Sequence, residues 1–281
     1  MTVLVFGRSG QVAHELAAAS DEVVSLGRNA ADLSIPGAAE AAIGSVGPRV
    51  VINAAAWTNV DGAEAAEAEA HRLNAQAPAE IARACAARDI PVVHISTDYV
   101  FDGAGGRPFR PDDPTGPLGA YGRTKLAGEA AVREAGPRHV ILRTSWVFSP
   151  HGRNFARTML ALGATRDRVR VVEDQIGGPT PAVAIARACL IIGHALTNGA
   201  PSGTHHFSGA PDTSWAGFAR AIFEAARMDM IVEGIPASDW PTPAARPANS
   251  RLDCESLRET FGIGRPDWRS GLPALVASVA D

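Results

Sequence analysis

The residue types and spacing of Tyr121 and Lys125 suit proton transfer to a carbonyl oxygen. On a helix, residues four apart lie on one face, one turn from each other. A phenol has a pKa of about 10, and a nearby ammonium lowers that pKa by favouring the phenolate. A phenol adjusted in this way can act as a general acid. Because such a spacing also occurs by chance, this interpretation requires a nucleotide site and a further hydroxyl group.

A glycine-containing segment, Gly7–Ala13, directly follows the first apolar run of the chain. Gly7 and Gly10 allow a tight turn and a close approach of the backbone to a pyrophosphate at the positive end of a helix. The spacing is G-x-x-G-x-x-A, and Ala13 is small enough for close helix–strand packing. The alternative is an ordinary turn between a strand and a helix. The position of the glycine segment directly after the first strand favours a dinucleotide site over this alternative.

Arg28 stands at the end of the second predicted strand, where NAD enzymes usually have an acid. A guanidinium at this point can pair with a 2′-phosphate. We therefore expect NADPH as the cofactor, with NADH also possible. The alternative for Arg28 is a solvated surface residue. Asp32 and Leu33 follow closely and are placed to border the adenine.

Thr97 supplies a hydroxyl group in the segment Ser96–Phe101, after the fourth predicted strand. This hydroxyl could hydrogen-bond a carbonyl oxygen while Tyr121 donates a proton to it. Alone, Thr97 and Asp98 would be interpreted as a helix cap or a loop-stabilising pair. Together with Tyr121 and Lys125 they predict a chemical site.

The elements that must position these residues alternate regularly over the first half of the chain. The predicted strands are Thr2–Phe6, Val23–Leu26, Arg49–Asn53, Pro91–Ile95 and His139–Arg143. The main predicted helices between them are Gln11–Ala19, Asn74–Arg88 and Ala120–Ala135. This pattern predicts an α/β fold, a Rossmann-like doubly wound parallel sheet with helices on both faces. Ligands of such sheets bind beyond the carboxyl ends of the strands.

The pattern is less regular after about residue 150. Further helices are predicted at Asn154–Leu162, Ala182–Thr197, Ser214–Arg227 and Cys254–Thr260, and the proline-rich segment Pro236–Pro247 is expected to be a surface loop. We expect an NAD(P)-binding domain over residues 1–150, to which later segments return. Residues 151–281 are expected to form a smaller, mainly substrate-binding lobe.

The composition excludes some classes of function. Of 281 residues, 46% are hydrophobic and 20% are charged, which is typical of a globular protein. A net charge of −4 gives no basic field for nucleic acid or an anionic membrane. Three separated cysteines favour a reduced, cytoplasmic protein. We expect no signal peptide and no membrane span, because no apolar run approaches roughly 20 residues.

Longer segments of the chain point to a family. They are Phe6–Gln11, Asn53–Thr58, Val60-Asp61, Glu64, Ser96–Gly103, Tyr121–Glu129, Arg143–Phe148, Asn154-Phe155, Asp174-Gln175, Gly178–Thr180, Arg246-Pro247 and Asn249–Leu252. Together they resemble the extended short-chain dehydrogenases/reductases and, more closely, the dTDP-4-dehydrorhamnose reductase family. The resemblance covers nearly the whole chain. The Tyr-Lys pair marks only the superfamily, whereas the blocks after residues 95, 142 and 245 are more specific.

The resemblance implies a reaction and the residues that carry it out. The reaction is NADPH-dependent reduction of the C4 ketone of dTDP-4-dehydro-L-rhamnose to dTDP-L-rhamnose. Tyr121 would be the proton donor, and Thr97 would orient the C4 oxygen. Lys125 would bind the nicotinamide ribose and depress the pKa of Tyr121.

The resemblance also implies binding residues for the cofactor and the sugar nucleotide. The cofactor would contact Gly10, Gln11 and Val12 at its pyrophosphate, Asp32 and Leu33 at its adenine, and Ala56, Trp57 and Thr58 elsewhere. Asp98 and Trp146 would contact the sugar nucleotide, and an indole independently suits a sugar through its flat apolar face and its N–H group. The alternative for Trp146 is packing in the core. Arg246 and Arg251 could meet the diphosphate by bidentate hydrogen bonds, or could belong to a surface loop held by salt bridges.

Two departures from related enzymes narrow the prediction. Dehydratases that resemble this scaffold carry an Asp-Glu pair after the threonine, but here Asp98 is followed by Tyr99, which favours net reduction. Some family members are dimers bridged by magnesium through glutamates. Glu15 matches one such position, but Val183 stands where another would be, and a hydrophobic side chain cannot ligate a hard cation. We expect no metal, and a homodimer remains possible.

Two alternative functions stay open. One is a reductase of another nucleotide-linked ketosugar, since inversion of one hydroxyl changes only local contacts of a pocket. The other is a non-enzymatic nucleotide-sensing subunit, similar to the regulatory subunit of a methionine adenosyltransferase. Intact Thr97, Tyr121 and Lys125 argue against a purely regulatory role.

Overall fold

A computed structural model describes residues 1–278 of the chain. The strands are β1 (Val3–Phe6), β2 (Val23–Leu26), β3 (Val50–Asn53), β4 (Val92–Thr97), β5 (His139–Thr144), β6 (Val147–Phe148), β7 (Arg168–Val172), β8 (Ile176–Gly177), β9 (Thr180–Pro181), β10 (Gly203–Phe207), β11 (Thr213–Ser214), β12 (Ile231–Ile235) and β13 (Asn249–Ser250). The α-helices are α1 (Gln11–Ala19), α2 (Ala38–Val46), α3 (Val60–Ala65), α4 (Glu67–His71), α5 (Ala77–Ala86), α6 (Ala120–Ala135), α7 (Phe155–Gly163), α8 (Ala182–Thr197), α9 (Trp215–Ala225), α10 (Glu255–Phe261) and α11 (Leu272–Ala277). A π-helical segment, Arg72–Gln76, joins α4 to α5.

The main sheet has six parallel strands in the order β2-β1-β3-β4-β5-β10. The chain runs from β1 to β2 on one side and then crosses to β3 on the other side of β1. In sheets of this kind, the crevice at such a reversal, beyond the carboxyl ends of the strands, is where ligands bind. The predicted doubly wound parallel sheet is confirmed.

Both faces of the sheet are covered, which explains its continuously apolar strands. On β1, Val3 and Val5 face one core with α1 and α8, while Leu4 and Phe6 face a second core with α2 and α5. Parallel sheets are stable only when both faces are buried, because their strands have no polar face to expose. Burial on both faces therefore fixes the position of β1 and of the turn that follows it.

A third apolar cluster lies among later elements and contains side chains of α7, β7, α9 and α11. The parallel strands β7 and β12 and the helix α9 surround it. By contrast, α8 and β10 belong to the main sheet although they follow residue 150. The boundary that we placed near residue 150 stays a prediction.

The sequence analysis predicted neither α2 nor any strand after β5, so β10 of the main sheet was missed. The elements that were predicted lie within two or three residues of their observed bounds. The exception is the predicted helix Asn74–Arg88, whose first turn belongs to the π-helical segment. The strands β4 and β5 run on to Thr97 and Thr144, so these residues are strand ends and not parts of a following loop. Within residues 1–278, no helix has both the length and the apolar character needed to cross a membrane.

Helix α6 packs at unusually short backbone distances. A Cβ at Gly122 would lie 2.2 Å from the carbonyl oxygen of Tyr99, and a Cβ at Gly128 would lie 2.0 Å from that of Asn74. Because real side chains do not approach backbone so closely, only glycine fits at these two positions. The two contacts fix α6 against the turn after β4 and against the π-helical segment.

We predict that Gly128→Ala lowers the free energy of unfolding by about 2–4 kcal/mol, because the added methyl must displace backbone. Urea denaturation followed by circular dichroism measures this change. Gly44→Ala, inside α2, is the matched control, since the nearest atom to its Cβ is Nη2 of Arg88 at 3.8 Å. It should be stabilising by about 0.5–1 kcal/mol, the ordinary gain of alanine over glycine in a helix. Equal effects of the two substitutions would contradict the proposed close packing.

Candidate active site

Two adjoining cavities lie beyond the carboxyl ends of the strands. The smaller, of about 330 Å³, is walled by Gly7–Gly10, Leu26–Arg28, Ala31–Leu33, Ala54–Ala56, Thr58 and Leu73. The larger, of about 750 Å³, shares the walls at Ser9, Gly10, Ala54–Ala56 and Thr58. The smaller cavity contains Arg28, Asp32 and Leu33, which were predicted for the adenosine end of a cofactor.

The turn after β1 has the shape that close approach to a ligand requires. Gly7 has a φ of +120°, and a Cβ there would lie 3.2 Å from Cβ of Ala13 and 3.3 Å from the carbonyl carbon of Ala54. Gly10 is the N-cap of α1 and provides no side-chain cap, and the first turn of α1 has no acidic residue. The backbone N–H groups at this end are therefore available to an anion.

Gln11 and Val12 line the larger cavity, as the pyrophosphate assignment requires. The side chain of Gln11 also holds α1 to a later part of the chain. Its Oε1 atom accepts a hydrogen bond of 2.9 Å from Nδ2 of Asn154, the N-cap residue of α7. No spacing or motif in the chain indicates this link.

Arg28 is largely exposed, with 75% of its side chain accessible, and its Nε atom lies 4.0 Å from Oδ1 of Asp32. Arg8, which the sequence analysis did not select, lines the same cavity, and its Cβ lies 3.1 Å from where a Cβ at Gly27 would stand. The absence of a side chain at Gly27 thus gives Arg8 room beside the end of β2. The guanidinium groups of Arg8 and Arg28 therefore both border this cavity, and the carboxylate of Asp32 lies near that of Arg28.

The larger cavity brings together the three residues predicted to do the chemistry. Thr97 comes from the end of β4, and Tyr121 and Lys125 come from the first two turns of α6. Asp98 and Trp146, predicted to contact a substrate, lie in the same wall. Residues distant in sequence therefore converge on one space that continues into the smaller cavity.

The phenol of Tyr121 is held in its protonated form. Burial raises its pKa to about 12, the nearby Thr97 hydroxyl opposes this rise, and the Asp98 carboxylate adds to it. The ring also meets the edge of Tyr99 at a centroid distance of 5.6 Å. At neutral pH this side chain therefore carries a proton that it can give to a stronger base.

Lys125 differs from its predicted role in one respect. Its side chain is buried, and its Nζ atom donates a hydrogen bond of 2.7 Å to the carbonyl oxygen of Ile95 on β4. The groups that shift the pKa of Tyr121 do not include it. The prediction that Lys125 depresses the pKa of Tyr121 is therefore not met, because its ammonium points toward the strand. Burial lowers the pKa of Lys125 itself to about 8, and Glu129 opposes this shift.

Asp98 is a buried carboxyl group at the cavity wall. Its Oδ1 atom accepts a hydrogen bond of 3.1 Å from the Thr97 hydroxyl, whereas its Oδ2 atom has no partner among residues 1–278. Burial raises the pKa of Asp98 to about 6, although Ser250 and Thr97 pull in the opposite direction. An unpartnered buried oxygen of this kind is expected where a ligand completes the hydrogen bonding.

Two predicted binding residues do not line either cavity. The ring of Trp57 packs against a small cluster that contains Ala63 and Ala120, and its Nε1 atom donates to the carbonyl oxygen of Asn59. Both terminal nitrogens of Arg246 contact the carboxylate of Asp61 at 2.8 Å. For Arg246, the structure follows the salt-bridged loop that was the alternative to diphosphate binding.

A buried ion pair behind the cavity was missed by the sequence analysis. Nε and Nη2 of Arg143 contact the two carboxylate oxygens of Glu129 at 2.9 and 2.7 Å, and the Ser96 hydroxyl donates to Glu129 at 2.6 Å. Glu129 and Arg143 are almost completely buried. Removing one partner would leave an uncompensated buried charge, at a cost of about 3–5 kcal/mol. The spacing could have indicated a buried role for Glu129, because Glu129 lies one helical turn beyond Lys125 and therefore on the same face of the helix.

Asn74 is a second residue that the sequence did not reveal. Its side chain is buried in the π-helical segment, where Oδ1 accepts from the backbone N–H of Trp57 at 2.8 Å and Nδ2 donates to Thr124 Oγ1 at 3.1 Å. It thereby ties the segment that carries Ala56 and Thr58 to α6. An asparagine within an alanine-rich helical pattern carries no signal of such a role.

The residues considered for a metal lie away from these cavities. Glu15 and Val183 both line an open groove between α1 and α8. In the portion of the chain from residue 1 to residue 278, no three His, Cys, Asp or Glu side chains lie close enough to hold a metal ion. The expectations of no metal and of a possible homodimer stay predictions.

Comparison with known proteins gives the family. The family model described as the RmlD substrate binding domain matches residues 1–280. A dTDP-4-dehydrorhamnose reductase of Sinorhizobium fredii is 42% identical over 98% of this chain and 97% of that protein. The crystal structure of a dTDP-4-dehydrorhamnose reductase from Clostridium acetobutylicum superimposes with a TM-score of 0.94 at 34% identity, covering 100% of both chains. That of Bacillus anthracis, in complex with NADP, has a TM-score of 0.92 at 30% identity and covers 99% of this chain and 100% of that one.

The fold and the likeness to these proteins define an NAD(P)H-dependent oxidoreductase with the Rossmann-like sheet of the short-chain dehydrogenases/reductases. The chain belongs to the RmlD substrate binding domain family, and its curated relatives at 37–44% identity are dTDP-4-dehydrorhamnose reductases.

The raised pKa of Asp98 gives a pH-dependent prediction. The folded protein binds this proton more tightly than the unfolded chain does, so the stabilisation is present below pH about 4 and is lost as pH rises through about 6. Asp98→Asn, which has no charge, should raise the free energy of unfolding by about 1–3 kcal/mol at pH about 8 and by about half as much at pH about 5. Urea denaturation of both proteins at the two pH values measures the difference.

The exposed Asp112→Asn is the matched control and should show no such dependence. If Asp98→Asn were equally stabilising or equally destabilising at both pH values, the carboxyl group would not be titrating in this range.

Proposed function

We propose that this protein reduces the C4 ketone of dTDP-4-dehydro-L-rhamnose to dTDP-L-rhamnose with NADPH. The observation that carries the proposal is the meeting of Thr97, Tyr121 and Lys125 in one cavity that continues into the glycine turn after β1. The curated relatives at 37–44% identity are named for this reaction. A ketone reduction needs one hydride on carbon and one proton on oxygen, and the site offers a place for each donor.

The residues present fit a dinucleotide. The uncapped start of α1 at Gly10 suits the pyrophosphate, and the cavity at Asp32 and Leu33 suits the adenosine. Gly7 allows the tight turn that places this start of α1, since its φ is +120° and a Cβ there would crowd Ala13 and Ala54. When bound, the reduced nicotinamide supplies the hydride. The NADP complex of the Bacillus anthracis relative supports this choice of cofactor.

Tyr121 donates the proton to the C4 oxygen as negative charge develops there. The phenol is protonated at neutral pH, and an alkoxide is a stronger base than a phenolate, so the transfer is downhill once hydride has reached C4. Thr97 would hold the same oxygen by turning its single hydroxyl proton from Asp98 toward it. Lys125 lines the same cavity with its ammonium hydrogen-bonded to the carbonyl oxygen of Ile95, and from there it would hold the nicotinamide ribose.

Asp98 and Trp146 bind the sugar nucleotide in the same cavity. The unpartnered Oδ2 atom of Asp98 can accept a hydrogen bond from a sugar hydroxyl, and the indole offers an apolar surface. The apolar cluster of α7, α9 and α11 would be the core of the smaller lobe beside this wall, and none of its buried side chains lines the cavity.

Other nucleotide-linked ketosugars are the alternative substrates. The wall residues do not distinguish sugars that differ by one hydroxyl inversion, since such a change alters only local contacts. Measuring NADPH oxidation with enzymatically prepared dTDP- and GDP-linked 4-keto-6-deoxysugars decides between them. Cofactor binding without turnover of any ketosugar would favour the nucleotide-sensing role.

The proton donor can be tested with the two tyrosines of the chain. We expect Tyr121→Phe to lower kcat by about 10²–10⁴-fold while the Kd for NADPH changes little, because the phenol contributes only to proton transfer. Stopped-flow absorbance and a fluorescence titration measure these quantities. Tyr99→Phe is the control and should lose much less. Turnover by Tyr121→Phe at the wild-type rate would remove Tyr121 from the mechanism.

Arg28 can be tested through the preference between cofactors. Arg28→Gln should raise the KM for NADPH by about tenfold and leave the KM for NADH nearly unchanged, since only NADPH carries the 2′-phosphate. The matched control is Arg49→Gln. Arg49 is an exposed arginine just before β3, at the edge of the sheet opposite to the two cavities. Steady-state kinetics with both cofactors give the answer. Parallel changes for NADPH and NADH would show that Arg28 does not read the 2′-phosphate.

A further inference from the structure

Trp146 has a backbone conformation that its own sequence does not favour. Its φ is +47°, in the left-handed region, which is costly for a bulky side chain. Such conformations cost about 1–3 kcal/mol and persist only where the surroundings hold them. Something other than local preference therefore keeps Trp146 in the wall of the substrate cavity.

The surroundings hold both the backbone and the ring. The carbonyl oxygen of Trp146 accepts a hydrogen bond of 3.1 Å from the N–H of Thr180, and the Ser145 hydroxyl donates to the carbonyl oxygen of Gly178 at 2.9 Å. The indole stacks on that of Trp215, with ring centroids 3.6 Å apart and planes inclined by 9°. A Cβ at Gly177 would lie 2.7 Å from Cε2 of Trp146, so the ring also contacts the backbone of β8.

Trp215 is itself rigidly placed, although it does not line the cavity. It is the first residue of α9, directly after β11, which pairs with β8. The Ser214 side chain caps the helix by accepting from the N–H of Gly217 at 2.9 Å, and Phe155 packs on the Trp215 ring at a centroid distance of 4.6 Å. The strand β8, which contacts the Trp146 ring, is thus hydrogen-bonded to β11, from which α9 and Trp215 directly follow.

We propose that Trp215 is a positioning residue that holds the indole of Trp146 in the substrate cavity. Its role in catalysis rests on the proposed function, but its effect on Trp146 does not. Without Trp215, the strained backbone of Trp146 would relax and the indole would leave its place. A substrate would then have to order this wall on binding, which weakens substrate affinity before it affects the chemical step.

The first test observes Trp146 without substrate. The chain has five tryptophans, so fluorotryptophan labelling gives a small set of fluorine resonances, and Trp146→Phe identifies that of Trp146. In Trp215→Leu we expect this resonance to shift and broaden. Phe218→Leu is the matched control, because Phe218 belongs to the same apolar cluster and packs on Phe155 but not on Trp146. It should lose stability and leave the Trp146 resonance in place.

The second test is kinetic. With the ketosugar as substrate, Trp215→Leu should raise its KM by about tenfold, change kcat by less than about threefold, and leave the Kd for NADPH unchanged. Trp215→Phe, which restores an aromatic face, should recover part of the loss. Phe218→Leu should not alter KM.

The outcomes separate the two proposals. If wild-type protein does not turn over the ketosugar, the proposed function fails, while the fluorine spectra still decide whether Trp215 holds Trp146. An unchanged Trp146 resonance in Trp215→Leu would overturn the positioning role. So would a KM that stays at its wild-type value in Trp215→Leu, or one that rises as much in Phe218→Leu.

Discussion

The backbone contact between α6 and its two neighbours is the constraint on which the site depends. Tyr121 and Lys125 are carried by this helix, whereas Thr97 belongs to the strand that precedes the turn at Tyr99. Gly122 allows α6 to touch that turn, and Gly128 allows it to touch Asn74. Because backbone contacts have no rotamers, they set the distance between helix and strand more sharply than side chains could. The proposed reacting groups are therefore placed by Gly122 and Gly128, the two residues of the helix that have no side chain.

A buried ion pair between Glu129 and Arg143 also holds α6 against the sheet. Glu129 lies one turn beyond Lys125, and its carboxylate binds Ser96 and Arg143, which come from neighbouring strands. The helix is thus attached to the sheet at the level of Lys125. Burial and Arg143 lower the pKa of His206 to about 3, so this neighbour stays neutral and does not compete for the carboxylate. The negative charge of Glu129 remains available to balance both Arg143 and Lys125.

The fold could be predicted from the sequence because each of its causes is local or periodic. Apolar runs gave the strands, alanine-rich stretches gave the helices, and the glycine spacing after β1 gave the turn that Gly7 requires. The candidate catalytic residues could be selected because motifs at strand ends are brought to one edge of a parallel sheet. Thr97, Asp98, Tyr121, Lys125 and Trp146 do line one cavity.

The remaining features depend on contacts that have no pattern in the chain. Arg246 binds Asp61 across a long sequence separation, and the stacking of Trp146 on Trp215 joins two segments that look unrelated. The direction of the Lys125 ammonium could not be read from its spacing to Tyr121, because helical spacing places two residues on one face but does not orient their ends. Asn74 was hidden for another reason, since a π-helical turn has almost the same composition as an α-helical one.

That π-helical turn has a consequence for how the chain tolerates change. Between α4 and α5 the hydrogen bond runs from the N–H of Ala77 to the carbonyl oxygen of Arg72, five residues back, so the segment holds one residue more than an α-helix would. Each residue of an α-helix advances the side chains by about 100°. In this turn five residues take the place of four, so deleting one of them would leave a regular α-helical turn and keep Ile81 and Cys85 facing the core that they fill. The π-helical segment can therefore lose one residue more readily than α5 itself, where a deletion would rotate the side chains that follow by about 100°.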